Sequence, residues 1–211
     1  MEPSGLRRRE RRERDARQQR NEGLKLQDDE LARRIGAGDP RAFDALFDRY
    51  AAPLIGYLSS MVGERATAED LLQETMIRVY RNIGRYRERG AFRAWIYQIA
   101  TNLALTELRR ARFRGDLCGE FVSRVPDPRE PSAHENLERR ETLAAVRAGI
   151  ASLPDEQRTV VLLRVRREMG IREIARVLRI PEGTVKSRLH YAVRSLRDTI
   201  LEKETPRTSK E

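Results

Sequence analysis

Residues 170–197 carry the clearest structural signal of the sequence and read GIREIARVLRIPEGTVKSRLHYAVRSLR. The apolar residues before Pro181 recur at intervals of three and four, which is the period of a short amphipathic helix. Pro181 interrupts this pattern, and Val185, Leu189 and Ala192 resume it at the same spacing. Two short helices separated by a tight turn predict a helix-turn-helix, a motif that places its second helix in the major groove of DNA.

The second helix of this motif also has a polar face. If Val185, Leu189 and Ala192 face the core, the residues left towards solvent or a groove are Thr184, Lys186, Ser187, Arg188, His190 and Tyr191. The N-terminus of this helix also offers backbone N–H groups to a phosphate. The alternative is a basic helical hairpin with a solvated face. The helix-breaking pair Pro181 and Gly183, together with the local excess of arginine, favours DNA binding.

The positive charge of the chain is concentrated in two blocks. The 211 residues include 43 Lys and Arg against 33 Asp and Glu, which is a formal net charge of +10. Residues 75–114 and 158–197 each carry a net charge of +8, whereas residues 28–74 and 115–157 are net acidic. Two separate basic blocks predict two contact surfaces on one polyanion, such as a nucleic acid.

The composition excludes several classes of protein. With 39% hydrophobic and 6% aromatic residues, the chain has enough apolar side chains for small helical cores. No apolar stretch approaches the roughly 20 residues that cross a bilayer, so we expect a soluble protein without membrane insertion. One cysteine, Cys118, and two distant histidines, His134 and His190, predict no disulfide framework, no metal site and no cofactor. Because the arginine-rich N-terminus lacks the apolar core of a secretory signal, we expect a cytoplasmic protein.

Helical periodicity divides the chain into two predicted domains. Residues 1–27, rich in arginine and poor in apolar residues, predict a disordered arm. Residues 28–114 predict a four-helix domain, and residues 138–203 predict a second helical domain. A flexible linker with three prolines is predicted at 115–137, and a tail at 204–211. No segment requires a strand, so the predicted fold class is all-α.

Glycine and proline mark the predicted helix ends. In the first domain the expected helices run from Asp28 to Gly36, from about Phe43 to Gly63, from near Thr67 to Gly84, and from Phe92 to about Arg112. A loop is expected at 86–90, between the third and fourth helices. In the second domain one helix ends at Pro154, and a second contains Val160 to Val165. The β-branched run Thr159–Val161 allows a strand, but the flanking turn signals favour a helix.

Two segments together resemble a known family. Residues 68–110 read AEDLLQETMIRVYRNIGRYRERGAFRAWIYQIATNLALTELRR and resemble region 2 of bacterial RNA polymerase sigma factors of the extracytoplasmic-function (ECF) group, within the sigma-70 family. Residues 170–197 resemble region 4 of the same group. Both regions appear in the family's order and at its spacing, over about 28–114 and 138–201. The resemblance implies a region 2 four-helix domain and a region 4 helix-turn-helix domain.

The resemblance also implies function and partners. Such a protein binds core RNA polymerase and directs promoter-specific initiation without chemistry of its own. Its implied partners are the clamp helices of the largest polymerase subunit, the flap region, promoter DNA and an anti-sigma factor. Two alternatives come from the residues. One is a helix-turn-helix regulator that is not a polymerase subunit, and the other is a nuclease that uses Asp28, Asp29 and Glu30. Those acids better suit the first turn of a helix, where they complement its dipole.

Two groups of site residues are implied for the first domain. The core-binding group, expected on the clamp helices, is Asp70, Gln73, Glu74 and Arg78. The −10 group, expected to capture and hold the melted promoter strand, is Tyr86, Arg87, Arg89, Phe92, Asn102, Arg109 and Arg110. Solvated helix faces are the alternative for the core-binding group. A core position is the favoured alternative for Phe92 and Trp95, because both lie on the apolar stripe of their helix.

For the second domain the resemblance implies contact with the promoter −35 element. Lys186 and Ser187 are the expected major-groove contacts, and Arg164 and Arg188 the expected backbone clamps. The full −35 group is Arg164, Thr184, Lys186, Ser187, Arg188, His190 and Tyr191. Tyr191 departs from the family, which often has a basic residue there, and leaves stacking or contact with a thymine methyl group as options.

Overall fold

The computed structural model describes residues 28–87, 90–115 and 137–204. Within these ranges the chain forms eight α-helices, one short 3-10 turn and no strand, which confirms the all-α prediction. In chain order the elements are α1 (Asp28–Gly36), α2 (Pro40–Val62), α3 (Arg65–Asn82), the 3-10 turn (Ile83–Arg85), α4 (Phe92–Arg114), α5 (Leu137–Ser152), α6 (Asp155–Val165), α7 (Ile171–Leu178) and α8 (Glu182–Glu204). The arm at 1–27, nearly all of the linker, the tail after Glu204, Arg89, Cys118 and His134 lie outside the described residues.

Helices α1–α4 pack around one apolar core. Each helix contributes apolar side chains at helical spacing that are nearly inaccessible to solvent, although Phe47, which the apolar spacing placed on the buried stripe of α2, is 41% exposed. The largest are Leu31, Leu46, Leu54, Tyr57, Leu58, Met61, Phe92, Ile96, Tyr97 and Leu108. The hydroxyls of Tyr57 and Thr101 lie 2.8 Å apart in this core, so these two buried polar groups satisfy each other.

The helix ends in this domain follow the predicted glycine and proline signals. Asp39 caps α2, since its Oδ1 accepts a hydrogen bond from the backbone N–H of Arg41 at 3.0 Å, and Pro40 occupies the first turn. Gly63 ends α2 with φ of 83°, a left-handed conformation that favours glycine. The third helix differs slightly from the prediction. It passes into the 3-10 turn before the chain leaves at Tyr86, so Gly84 lies inside that turn.

Helices α5–α8 form the second domain and contain the predicted helix-turn-helix as α7 and α8. Thr159–Val161 lies within α6, so the helical prediction is confirmed over the strand alternative. Val160, Leu163, Ile174, Val177 and Val185 are buried where α6, α7 and α8 meet. The turn after α7 is strained at Arg179, because its φ of 52° is left-handed, a conformation that usually belongs to glycine.

The two domains also pack against each other, mainly through α2 with α6 and α4 with α7. Arg166 donates a hydrogen bond to the carbonyl of Gly56 at 2.9 Å. Arg167 donates to the carbonyl of Pro53 at 2.8 Å and to the hydroxyl of Tyr97 at 3.2 Å. These charged donors reach backbone carbonyls of α2 whose second lone pairs remain available inside a helix. The packing of one domain on the other was not part of the prediction from sequence.

Ion pairs extend this contact at its edges. Arg93 of α4 lies 3.6 Å from Glu173 of α7 and also donates to the carbonyl of Arg167. Arg112, near the end of α4, pairs with Asp155 at the start of α6. These polar pairs lie at the edge of an apolar contact, because buried Val160, Leu162 and Leu163 of α6 belong to the same cluster of packed side chains as the core of the first domain. None of the described helices is long and apolar enough to cross a bilayer.

Candidate promoter and polymerase interfaces

The −35 group lies mostly on the open face of α8. Val185 and Ala192 are fully buried, while Lys186, Ser187 and His190 are exposed. Tyr191 is 56% exposed, so a large aromatic ring lies on the surface of α8. Thr184 and Arg188 are half-buried. The α8 members of the −35 group therefore lie on the side of the helix that faces away from Val185 and Ala192, as helical spacing predicts.

The two expected backbone clamps of the second domain already have protein partners. Arg188 pairs with Glu156 of α6 at 2.6 Å between Nη2 and Oε2. Arg164, at the end of α6, donates to the carbonyl of Met169 at 3.0 Å. Both guanidiniums are thereby held close to the helix-turn-helix, and a phosphate would compete with these groups for the N–H donors.

The core-binding group occupies two turns of α3. Asp70, Gln73 and Arg78 are exposed, and Glu74 is half-buried. Glu74 and Arg78 form an i, i+4 ion pair at 2.7 Å, a contact that adds little stability on an exposed helix. The group therefore presents both signs of charge on one surface.

An apolar patch lies beside this group, and the sequence analysis missed it. It consists of Phe47 of α2 and Ile77 and Tyr80 of α3, which are 41%, 43% and 58% exposed. Phe43 joins the patch, with its ring centroid 5.3 Å from that of Tyr80. Ile77 and Tyr80 fall off the buried stripe of α3, and this was the signal in the sequence. Exposed aromatic and aliphatic side chains next to mixed charges are typical of a protein-binding surface.

The aromatic members of the −10 group are not displayed as free stacking platforms. Phe92 is only 1% exposed and lies in the core, in edge-on contact with Tyr50 and Tyr86. Tyr86 is half-buried, and its ring centroid lies 5.2 Å from that of the half-buried Trp95. In this structure the aromatic cluster of Tyr86, Phe92 and Trp95 therefore supports the loop before α4, which places Phe92 at the core position that its helical stripe indicated.

The polar members of the −10 group are more accessible. Arg87 is exposed and donates to the carbonyls of Gly84 and Tyr86. Asn102 is exposed on α4 and lines a shallow groove with Trp95 and Gln98. Arg179 closes that groove from the second domain, since its Nη2 lies 3.4 Å from Oε1 of Gln98. The turn of the helix-turn-helix thus lies directly beside the candidate −10 surface.

The arginines near the end of α4 lie farther along the same helix. Arg109 is exposed and donates to the carbonyl of Leu105. Arg110 pairs with Glu107 at 3.9 Å, and Arg114 pairs with the same carboxylate at 2.9 Å. Phe113, between them, is 94% exposed. This end of α4 is therefore a basic surface with one exposed aromatic ring.

The acidic start of α1 has a structural role that the sequence analysis did not find. Asp28 accepts hydrogen bonds from Arg49 and, at 2.6 Å, from the hydroxyl of Tyr50. Burial, and then this bond, raise the pKa of Tyr50 well above its usual value. Asp29 accepts from the hydroxyl of Tyr86 at 3.0 Å and from the backbone N–H of Gly90. These bonds account for both acids as anchors of tertiary structure, so nothing in their geometry supports the nuclease hypothesis.

Comparison with known proteins identifies both domains. The family model for Sigma-70 region 2 matches residues 46–114, and the model for Sigma-70 region 4 matches residues 143–196.

Several curated relatives match over most of the chain. The ECF RNA polymerase sigma factor SigL of Mycobacterium tuberculosis is 37% identical over 178 residues, which cover 82% of this chain and 97% of the relative. The ECF RNA polymerase sigma factor SigW of Bacillus subtilis is 33% identical, with 78% and 92% covered. The ECF RNA polymerase sigma factor BldN of Streptomyces coelicolor is 37% identical over 79% of this chain, but the match spans only 63% of that longer relative.

Solved structures share the fold. CnrH, in complex with the cytosolic domain of CnrY, superposes with a TM-score of 0.63 and 22% identity, covering 84% of this chain and 99% of CnrH. The sigma factor RpoE of Bartonella quintana, in complex with the anti-sigma factor NepR, superposes with a TM-score of 0.60 and 22% identity, covering 75% and 96%.

Proposed function

The chain belongs to the ECF group of the sigma-70 family of RNA polymerase sigma factors, and we propose that it divides promoter recognition between its two domains. In this proposal residues 28–114 bind core polymerase and open the −10 element, and residues 138–203 read the −35 element. The family consists of initiation factors, not enzymes, and we propose that this chain likewise has no catalytic activity. The observation that carries the proposal is the pair of matched regions, in order, with an exposed polar surface on each.

In the second domain, α8 would enter the major groove. Lys186 and Ser187 would contact base edges, because they lie on the exposed side of α8 near its N-terminus. Arg164 and Arg188 would hold the DNA backbone once phosphate oxygens replace their present partners, the carbonyl of Met169 and the carboxylate of Glu156.

In the first domain, Asn102 and Arg87 would contact the melted −10 strand, with Arg109 and Arg110 on its phosphates. Melting would draw on binding energy alone, since a flipped base and a held single strand offset the lost stacking. Tyr86 and Phe92 support the surface in the present structure, and a direct stacking role for either stays a prediction.

We propose that the core-binding group and the adjacent apolar patch together contact the polymerase clamp helices. Exposed Ile77 and Tyr80 would supply the buried centre of such an interface, and Glu74 and Arg78 its charged rim. We propose that the second domain contacts the flap region. An anti-sigma factor is a further proposed partner. One solved structural neighbour is a complex with an anti-sigma factor, and another is a complex with the cytosolic domain of CnrY. We propose a cytoplasmic location.

Simultaneous contact with both promoter elements requires the domains to separate. The −10 and −35 elements lie about 25 base pairs apart, or about 85 Å along B-DNA. Here Arg179 of the second domain touches Gln98 of the first. A 23-residue segment at 115–137 spans up to about 80 Å when extended, so the connection is long enough for most of that separation.

The test is reconstitution with sigma-free core polymerase. Purified protein is added to core, and transcript starts are mapped on a genomic library. We expect initiation at a defined set of promoters that share −10 and −35 sequences. Failure to bind core and to initiate would contradict the proposal, whereas sequence-specific DNA binding without core binding would favour the separate-regulator hypothesis.

A further inference from the structure

We propose that Asp29 is a positioning residue that holds Tyr86 and Gly90 together beside α1. Through these two residues it positions Arg87 and the start of α4 for contact with the −10 element. The loop joins the 3-10 turn to α4, and its two described ends are Tyr86–Arg87 and Gly90–Ala91. This inference rests on the proposed function of the first domain, because it assigns Asp29 to the loop that contacts the −10 element. In this proposal Asp29 does not itself contact DNA.

A single carboxylate bridges both ends of the loop. Oδ1 of Asp29 accepts a hydrogen bond from the hydroxyl of Tyr86, and Oδ2 accepts one from the backbone N–H of Gly90. The same Tyr86 oxygen accepts from the N–H of Ala91 at 3.2 Å. The carboxylate of Asp29 therefore links two residues that lie 57 and 61 positions after it in the sequence. Hydrogen bonds to a charged acceptor are stronger than bonds between neutral groups, so the two bonds to Asp29 hold Tyr86 and Gly90 strongly.

The carboxylate is itself anchored from behind. Its neighbour Asp28 binds Arg49 and Tyr50 of α2, which fixes the first turn of α1 on the domain core. The ring of Tyr86 packs against Phe92 and Trp95 at the start of α4. The loop ends are thus held between α1 and α4, and the residues they position are Arg87 and the first turns of the helix that carries Asn102.

A positioning role of Asp29 can be distinguished by experiment from an effect of its negative charge on DNA affinity. A negative charge beside a loop that meets phosphates opposes DNA binding at long range. If charge were its main effect, neutralising Asp29 would tighten binding to every DNA sequence. If positioning is its main effect, neutralisation relaxes the loop and lowers discrimination between correct and incorrect −10 bases.

The experiment compares Asp29→Asn with Glu30→Gln in holoenzyme assembled from core polymerase and the full chain. Both substitutions remove one carboxylate from the first turn of α1, but Glu30 pairs with Arg33 and Arg34 of its own helix, whereas Asp29 contacts the loop ends. The probe is a fork-junction DNA with a single-stranded −10 element, selected from a randomised pool by the wild-type holoenzyme, together with its single-base variants. Tyr86→Phe is the third variant, because it deletes only the bridging hydroxyl and keeps the ring.

We expect Asp29→Asn and Tyr86→Phe to lower base discrimination at −10 at least fivefold. Core binding and affinity for a −35 duplex should stay within twofold of wild type, and Glu30→Gln should keep wild-type discrimination. Equal losses in Glu30→Gln and Asp29→Asn, or a uniform gain in DNA affinity, would overturn the inference. If Asp29→Asn does not fold, Tyr86→Phe decides, and unchanged discrimination in that variant overturns it. A wild-type holoenzyme without any −10 preference would instead contradict the proposed function.

Discussion

The two candidate DNA-reading surfaces are built in opposite ways. On α8 the polar side chains stand on an exposed helix face, and Tyr191 is more than half exposed. Before α4 the aromatic side chains are packed inward, and the loop ends are tied to α1 through Asp29. A helix is a rigid presentation for duplex DNA, whereas a loop has to be held by other elements before it presents anything reproducibly. The surface before α4 therefore depends on tertiary contacts with α1, whereas the exposed face of α8 follows from the helix itself.

Aromatic truncation gives the largest expected difference between the surfaces. Phe92→Ala should destabilise the protein by about 3–5 kcal/mol, because it leaves a cavity among Tyr50, Tyr86 and Trp95. Tyr191→Ala should change stability by no more than about 0.5 kcal/mol, since the side chain is exposed. Urea unfolding followed by circular dichroism measures both. Similar losses would show that the two surfaces are not built differently.

The reading role of α8 is tested by Lys186→Ala combined with Ser187→Ala. Loss of these groups should weaken binding to the selected −35 duplex by about 1–3 kcal/mol, through the lost base contacts, and leave core binding unchanged. Fluorescence anisotropy at several salt concentrations gives the affinity. Arg65→Ala is the matched control, because it removes one exposed positive charge from the other domain. Loss of core binding in the double variant would contradict the division of labour between the domains.

The contact between the domains should depend on Arg167. Arg167→Ala removes hydrogen bonds to Pro53 and Tyr97 and should weaken domain packing by about 1.5–3 kcal/mol. Energy transfer between dyes on the two domains of the DNA-free protein should fall accordingly. Arg172→Ala provides the control, since that exposed arginine pairs with Glu182 in its own domain. An unchanged transfer efficiency in Arg167→Ala would mean that other contacts hold the domains together.

The smallest expected effect concerns the turn that lies against α4. Arg179→Gly should be about 1 kcal/mol more stable than Arg179→Ala, because glycine adopts the left-handed conformation without steric cost. Both variants lose the contact with Gln98, so their difference isolates backbone strain. Thermal unfolding of the two variants measures it. Equal stability would indicate that the turn relaxes when its side chain is removed.

Most of the local structure could be predicted from the sequence. Apolar spacing located the helices of both domains, and Gly36, Gly63 and Pro154 marked their ends. The exposed face of α8 followed directly from helical geometry, because its members are set by the register of Val185 and Ala192. The apolar patch at Ile77 and Tyr80 was also open to prediction, since these residues fall off the stripe of α3.

The hydrogen bonds from Tyr86 and Gly90 to Asp29 could not be predicted from the sequence. Asp29 and Tyr86 are separated by 57 residues, and nothing in local periodicity indicates that α1 passes beside the start of α4. The same holds for Arg167 and Pro53, which are 114 positions apart. Acids at a helix start have a sufficient local explanation in the helix dipole, and that explanation concealed their tertiary role.

The sequence by itself determined the all-α architecture, the two basic blocks and the exposed polar face of α8, because helical period and side-chain polarity act over a few residues. Only the tertiary structure decided which acids and arginines became anchors and how Phe92, Tyr86 and Trp95 share one cluster. It also decided that the helix-turn-helix rests against α4. Those choices depend on hydrogen-bond partners and packing surfaces that distant segments supply only after the helices have assembled.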